Sequence, residues 1–273
     1  MAGLAFTREH ALAAFIGLTA VVLAACSGNT SADANNGGTG GVGGLGGMGG
    51  LGSGGGLSQA VCDQAAAFAP INPTALLDDM EDGNGLIAQV ADRSGSWWIS
   101  TDGTAGTIQP AADQAPTPET IVGGRCESKK AVRVTGQGFT GWGAVLSAGM
   151  AYSTHPEPSD LSGFTGLMFW ARIGEQNTSS IRVQFQDSHT EPNGGECVDE
   201  PGNPEACYDG FGTEVIPIST RWQLYKIKFA EMKQRGFGHR GEALDTAHIY
   251  DVEFNLDPNS VIDLWVDDLW FFE

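Results

Sequence analysis

The chain predicts an all-β fold, a sandwich of two antiparallel sheets, on three observations. Helical periodicity is scarce. Short runs rich in β-branched and aromatic residues recur between Gly, Pro, Asn and Asp. Several runs alternate with a period of two: in Ile181-Arg182-Val183-Gln184-Phe185-Gln186 the odd positions are apolar and the even ones polar. Such alternation describes a strand with one face buried and the other wet, as antiparallel sheets allow. Many short strands with turn residues between them argue for a sandwich, and the length suits a jelly roll.

The first segment is not part of that fold. Residues 1–25 read as a signal peptide, with a basic Arg8 and an apolar run over 11–25. That run is shorter than the roughly 20 residues a membrane span needs and suits a signal-peptide core. It ends in Leu23-Ala24-Ala25-Cys26, which resembles the lipobox of bacterial lipoproteins. The resemblance implies cleavage before Cys26, diacylglycerol on its thiol and acylation of the new amine, a multi-chain anchor of the stable kind. Ser27 stands where an aspartate would favour inner-membrane retention, so an outer-membrane lipoprotein is expected, periplasmic or surface-exposed. Residues 26–60 then form a tether. From 37 to 56, 14 of 20 residues are glycine, too poor in apolar bulk to offset backbone entropy. A Gly-rich chain of this length reaches about 30 Å.

Residues 61–273 are expected to be one domain, since no second linker interrupts them. The formal charge of −19 lies almost entirely there. That balance excludes a nucleic-acid-binding surface and opposes contact with an anionic membrane face. With Cys26 assigned to lipid, four cysteines remain: Cys62, Cys126, Cys197 and Cys207. An even number outside the cytoplasm suggests two disulfides. Three pairings are possible; the expected one joins Cys197 to Cys207 and Cys62 to Cys126. Strands are expected at 76–80, 97–101, 131–135, 143–148, 167–173, 181–186, 213–218, 223–229, 249–255 and 262–271, with one helical turn within 230–235. Adjacent Trp97 and Trp98 must point to opposite faces. Trp265 and Trp270 should also split unless a bulge intervenes.

Three segments carry a family resemblance. They are Leu77-Asp78-Asp79-Met80-Glu81-Asp82-Gly83, the run Asp160-Leu161-Ser162-Gly163-Phe164-Thr165-Gly166-Leu167-Met168-Phe169-Trp170-Ala171, and the closing Asp263-Leu264-Trp265-Val266-Asp267-Asp268-Leu269-Trp270-Phe271. In this order they resemble the galactose-binding-like jelly rolls, close to carbohydrate-binding module family eleven. Met80 replaces the usual aromatic, and the Cys197–Cys207 insertion is not a general family feature. The resemblance implies a carbohydrate ligand and a structural calcium. Calcium takes six to eight oxygens; Glu81 and Asp82 with Asp267 or Asp268 are the candidate carboxylates. Solvated acidic strand ends are the plain alternative.

Sugar sites pair an aromatic platform with hydroxyl-binding polar groups. Trp142, between two glycines, is the candidate platform. Gln184, Gln186, Asp187, His189, Tyr208 and Asp209 are the candidate polar contacts; packing for the tryptophan and a hydrated loop for the rest are the alternatives. The Gly136-x-Gly138-x-x-Gly141 spacing lacks the βαβ setting of a dinucleotide site. No nucleophile-elbow or zinc-protease motif occurs. The expected function is a lipid-anchored, non-catalytic, monomeric carbohydrate-binding module. Its rivals are a structural or protein-interaction module of the same fold and a glycan-active hydrolase, which would need two carboxylates flanking one bond.

Overall fold

A computed structural model describes Leu57, residues 59–66 and residues 72–273. The expected signal peptide, Cys26 and most of the tether lie outside the described residues. A helix, α1 (Gln59–Ala66), straddles the expected boundary at 60/61. Among the described residues, fourteen strands follow. They are β1 (Leu76–Asp78), β2 (Trp97–Thr101), β3 (Thr107–Gln109), β4 (Glu119–Arg125), β5 (Ser128–Gln137), β6 (Ala144–Gly149) and β7 (Ala151–Tyr152). The second half adds β8 (Pro156–Glu157), β9 (Gly166–Ile173), β10 (Ile181–Asp187), β11 (Phe211–Gly212), β12 (Gln223–Lys228), β13 (Ile249–Leu256) and β14 (Val261–Phe272).

Two antiparallel sheets face each other. The first runs β12-β9-β14-β5-β3, with β1 also on β14 and β4 also on β5. The second runs β11-β10-β13-β6-β2. Apart from the consecutive pairs β4–β5 and β10–β11, neighbours are distant in sequence, as in a jelly roll. The inward residues of both sheets make one core. Val134, Phe169, Leu264 and Val266 come from the first sheet, and Trp97, Leu146, Phe185 and Phe254 from the second. Burying one such side chain stabilises by about 1.5–3 kcal/mol. Phe169 meets Phe254 edge-on with centroids 5.2 Å apart, which joins the two sheets.

Trp97 and Trp98 split as expected: Trp97 is fully buried, and Trp98 lies on the outer face of the second sheet. Trp265 and Trp270 do not split. The register of β14 against β9 slips between Asp267 and Trp270, and Asp268 takes a left-handed φ of 41°. One extra residue reverses the alternation. Both tryptophans therefore join Trp170, Trp222 and Met168 in a second cluster outside the first sheet. Arginines roof that cluster: Arg125 lies 4.6 Å over Trp170, Arg133 4.8 Å over Trp265 and Arg172 4.6 Å over Trp265.

The segment 213–218 corrects the expectation of a strand. Only β11 pairs continuously with β10 there. Arg182 Nε takes the Thr213 carbonyl, and one bridge persists from Ile181 to Ile216. The expected helical turn is a three-residue 3-10 turn, Phe229–Glu231. The strands β3 and β4 escaped the sequence, since β4 contains Gly123 and Gly124 at positive φ. Cys62 pairs with Cys126 and Cys197 with Cys207, with Cα atoms 5.5 and 5.0 Å apart. Loop-closure entropy assigns them about 4 and 3 kcal/mol.

Asp78 is a carboxyl inside this core. Its oxygens accept from Met80 N at 2.9 Å and Trp97 Nε1 at 2.7 Å. Burial outweighs those bonds and pushes its pKa from 3.8 up to about 6. The folded state therefore holds this proton more tightly than the unfolded one. Between pH 3.8 and about 6 that makes stability fall as pH rises, and above about 6 the loss is complete. Asp78→Asn cannot ionise and keeps the side chain's shape. Relative to the wild type it should gain on the order of 2–3 kcal/mol between acid and neutral pH. Urea unfolding at several pH values checks this; parallel curves for the two proteins would refute it.

Candidate functional site

The outer face of the second sheet is polar, and its residues line up in register. Gly212, Gln184, Glu253, Ser147 and Trp98 stand opposite one another on β11, β10, β13, β6 and β2. A flanking row holds Gln186, Asp251 and Gly149. The row on the other side holds Arg182, Asn255, Val145 and Ser100. Alternation places all of these away from the core.

A hydrogen-bond chain runs across them. Arg182 donates to Gln184 Oε1. Gln184 Nε2 donates to Glu253 Oε2 at 2.5 Å, and Gln186 Nε2 donates to the same oxygen at 3.0 Å. Gly212 makes the crowding possible, because a Cβ there would stand 2.7 Å from both the Gln184 Cβ and the Arg182 Cζ. Three buried atoms of the face have no hydrogen-bond partner: Ser147 Oγ, Gln186 Oε1 and Asn255 Nδ2. Native structures seldom leave such groups without an explanation. At the end of the middle row, the half-buried Trp98 lies beside Gly149; its Nε1 would be 3.6 Å from a Cβ there.

The seven expected contacts fall in three places. Gln184 and Gln186 belong to this face. Asp187, His189, Tyr208 and Asp209 gather beyond the Gln186 end, where two loops meet. Asp187 is fully buried and accepts from His189 N, Thr190 Oγ1 and Asp245 N. Asp209 accepts from the backbone N–H groups of Arg235, Gly236 and Phe237 at 2.6–3.0 Å. Both carboxylates are thus consumed in holding loops. His189 bonds Asp187 at 3.1 Å and stacks with His239 at 6.4 Å. Burial lowers the His189 pKa, but the Asp187 bond and nearby carboxylates together raise it. Tyr208 is half-buried at a φ of 75°. Trp142 lies at the opposite strand end, next to Ala144 and its partner Leu256. Asp102 fixes its turn by accepting from Gly141 N at 2.7 Å and Gly143 N at 3.0 Å. Its indole Nε1 is buried without a partner.

Arg182, Glu253, Ser147, Asn255 and Trp98 were missed. The alternating polar positions of β10 and β13 were visible, but their pairing was not.

Of the four carboxylates expected at calcium, three converge. Arg125 Nε donates to Asp267 Oδ2 at 2.9 Å, and its other arm pairs with Asp268. Ser128 Oγ bridges Asp267 Oδ2 at 2.8 Å and Glu81 Oε1 at 3.1 Å. Glu81 Oε1 also accepts from Lys129 N and Lys130 N. Asp82 stays in its own exposed turn, bonding Asn84. Burial pushes the Asp267 pKa up to about 7 against the pull of Arg125. These residues do not fit calcium. The guanidinium already stands between Asp267 and Asp268, and N–H and O–H donors take both oxygens of Asp267, one of Asp268 and one of Glu81. Among the described residues no group of three or more His, Cys, Asp or Glu could hold a metal ion.

Residues 88–273 match the family model of carbohydrate binding domain 30. No curated protein matches the chain. Among solved structures, the chain is similar to a family 11 carbohydrate-binding module from Clostridium thermocellum in complex with a β-1,3-1,4-mixed-linked tetrasaccharide. The identity is 15%, the TM-score 0.48, and the match covers 72% of this chain and 94% of that one. It is also similar to the family 30 module of the cellulosomal cellulase Cel9D-Cel44B of Clostridium thermocellum. There the identity is 14%, the TM-score 0.43, and the coverage 67% and 95%. The match to the family model spans most of the β-sandwich and includes all five strands of the polar face. The chain belongs to the carbohydrate-binding domain 30 family and is a non-catalytic glycan-binding module.

Proposed function

We propose that the outer face of the second sheet is where the glycan lies, with the chain held to the outer membrane through lipid on Cys26. The three partnerless polar atoms on one face carry this reading. A sugar hydroxyl both donates and accepts, so it can complete Ser147 Oγ, Gln186 Oε1 and Asn255 Nδ2 alike. Glu253, gripped by two amides, presents an oriented acceptor. The Trp98 ring is the aromatic surface for a pyranose face, apolar in body and polar at Nε1. Oriented polar groups beside an aromatic wall are what small-ligand sites share. Trp142 is a second aromatic at the far end of the face, and His189, Tyr208, Asp187 and Asp209 shape its loop border.

Affinity electrophoresis against a polysaccharide panel tests the site. Trp98→Ala and Glu253→Gln should each weaken retention by at least about tenfold, the scale of one good polar or stacking contact. Their melting temperatures should stay within a few degrees of the wild type. Unchanged retention in both variants would reject this face. Calcium should be dispensable: EDTA should leave both retention and melting temperature as they were, and a calcium-dependent rise in either would restore the acidic site. The anchor has its own test. Cys26→Ser should move the protein from the detergent phase to the aqueous phase after expression in a Gram-negative host. Equal partitioning of the two forms would rule out lipid on Cys26.

A further inference from the structure

At the β11 edge of the polar face lies a hollow of about 310 Å³, lined by Arg182, Gly212, Thr213, Glu214, Val215, Lys233, Gln234 and Arg235. Its size is at the small end of ligand pockets, roughly 300–1,000 Å³. Its charge is out of character for the chain. The protein carries 33 acidic and 14 basic residues, yet three cations and one carboxylate line this space.

Among the described residues none of the three cations makes a direct ion pair. Arg182 is buried, and its N–H groups go to the Thr213, Gly210 and Lys233 carbonyls and to Gln184 Oε1, all of them uncharged. Burial and then the nearby charge of Arg235 lower its pKa to about 10, against the opposing pull of Asp209, Glu253 and Glu214. Lys233 and Arg235 are exposed, and their side chains make no ion pair with another described residue. The nearest buried acid, Asp209, is committed to the backbone N–H groups of residues 235–237. A buried guanidinium served only by neutral oxygens, beside two uncommitted cations, is a place for an anion.

We infer that this hollow is an anionic subsite that takes the carboxylate of a uronic acid residue in the bound glycan. The inference rests on the glycan-binding face proposed above, which it extends past β11. Arg182 and Gln184 join the two, since one donates to the other. Lys233 and Arg235 would meet the carboxylate with charge-assisted hydrogen bonds, the stronger kind. Thr213 Oγ1 accepts from Val183 N and keeps its own O–H for an adjacent hydroxyl, while Gln234 is held by the Asp209 and His239 carbonyls and Gly241 N and borders the site. Glu214 opposes the anion and limits its affinity.

Affinity electrophoresis with polygalacturonate and with a neutral β-glucan tests this, using the full domain. The wild type should be retained by polygalacturonate, and added salt should weaken that retention. The double variant Lys233→Ala with Arg235→Ala should lose at least tenfold in affinity for polygalacturonate and keep its melting temperature. Its binding to any neutral glycan should stay unchanged. Glu214→Gln should do the reverse and tighten polygalacturonate binding several-fold. If the wild type binds only neutral glycans, or both variants bind polygalacturonate as the wild type does, the anionic subsite is wrong and the glycan face stands. If no polysaccharide of the panel is retained, both readings fall.

Discussion

The buried fork of Arg125 is the interaction on which the sandwich turns. One guanidinium holds the two consecutive carboxylates of the β14 bulge, Asp267 and Asp268. Breaking a buried pair by removing one partner costs about 3–5 kcal/mol, so the bulge cannot simply relax. That bulge reverses the alternation of the central strand. It lets Leu264 and Val266 face the core before it and Leu269 and Phe271 after it, while Trp265 and Trp270 share the outer side. The same guanidinium lies over Trp170 and Trp222. Charge, strand register and aromatic packing therefore meet at one side chain.

The two sheets spend their outer faces differently. The first covers tryptophans with arginine planes and closes itself off. The second carries glutamines, two acids, an arginine and a serine at low exposure, several of them joined by hydrogen bonds, with Ser147 Oγ, Gln186 Oε1 and Asn255 Nδ2 left over. A buried polar network is stiff when satisfied and demanding when it is not. This one is stiff in its middle, at Glu253, and demanding at Ser147, Gln186 and Asn255. Stiffness keeps the groups aimed without a ligand, which lowers the cost of ordering them when one arrives.

Much of the fold was legible, because period-two alternation survives wherever one face is buried. The run 181–186 and the run 249–255 read as strands and are strands. The segment 213–218 did not behave as it read, because a buried arginine from a distant position claimed its carbonyl. The shared face of Trp265 and Trp270 depended on a bulge, which no alternation rule locates. The site was legible only in fragments. Gln184 and Gln186 stood out by local pattern, whereas Ser147, Glu253 and Trp98 acquire meaning only from cross-strand register. Asp187 and Asp209 had the right chemistry for a sugar, yet backbone N–H groups and the Thr190 hydroxyl had already claimed them. Residue type announces what a group can do, and packing decides whether it is still available.

The Cys62–Cys126 bridge has a mechanical consequence. Cys62 sits in α1, ahead of every strand, and Cys126 follows Arg125 directly. Tension on the chain before α1 does not reach β1 first. It crosses the disulfide into the turn between β4 and β5, and the 63 residues enclosed between the two cysteines carry none of it. The load is delivered where β5 pairs with β14 in the middle of the first sheet. The enclosed stretch contains β1 to β4, so β2 is the one strand of the second sheet that the bridge takes out of the line of force.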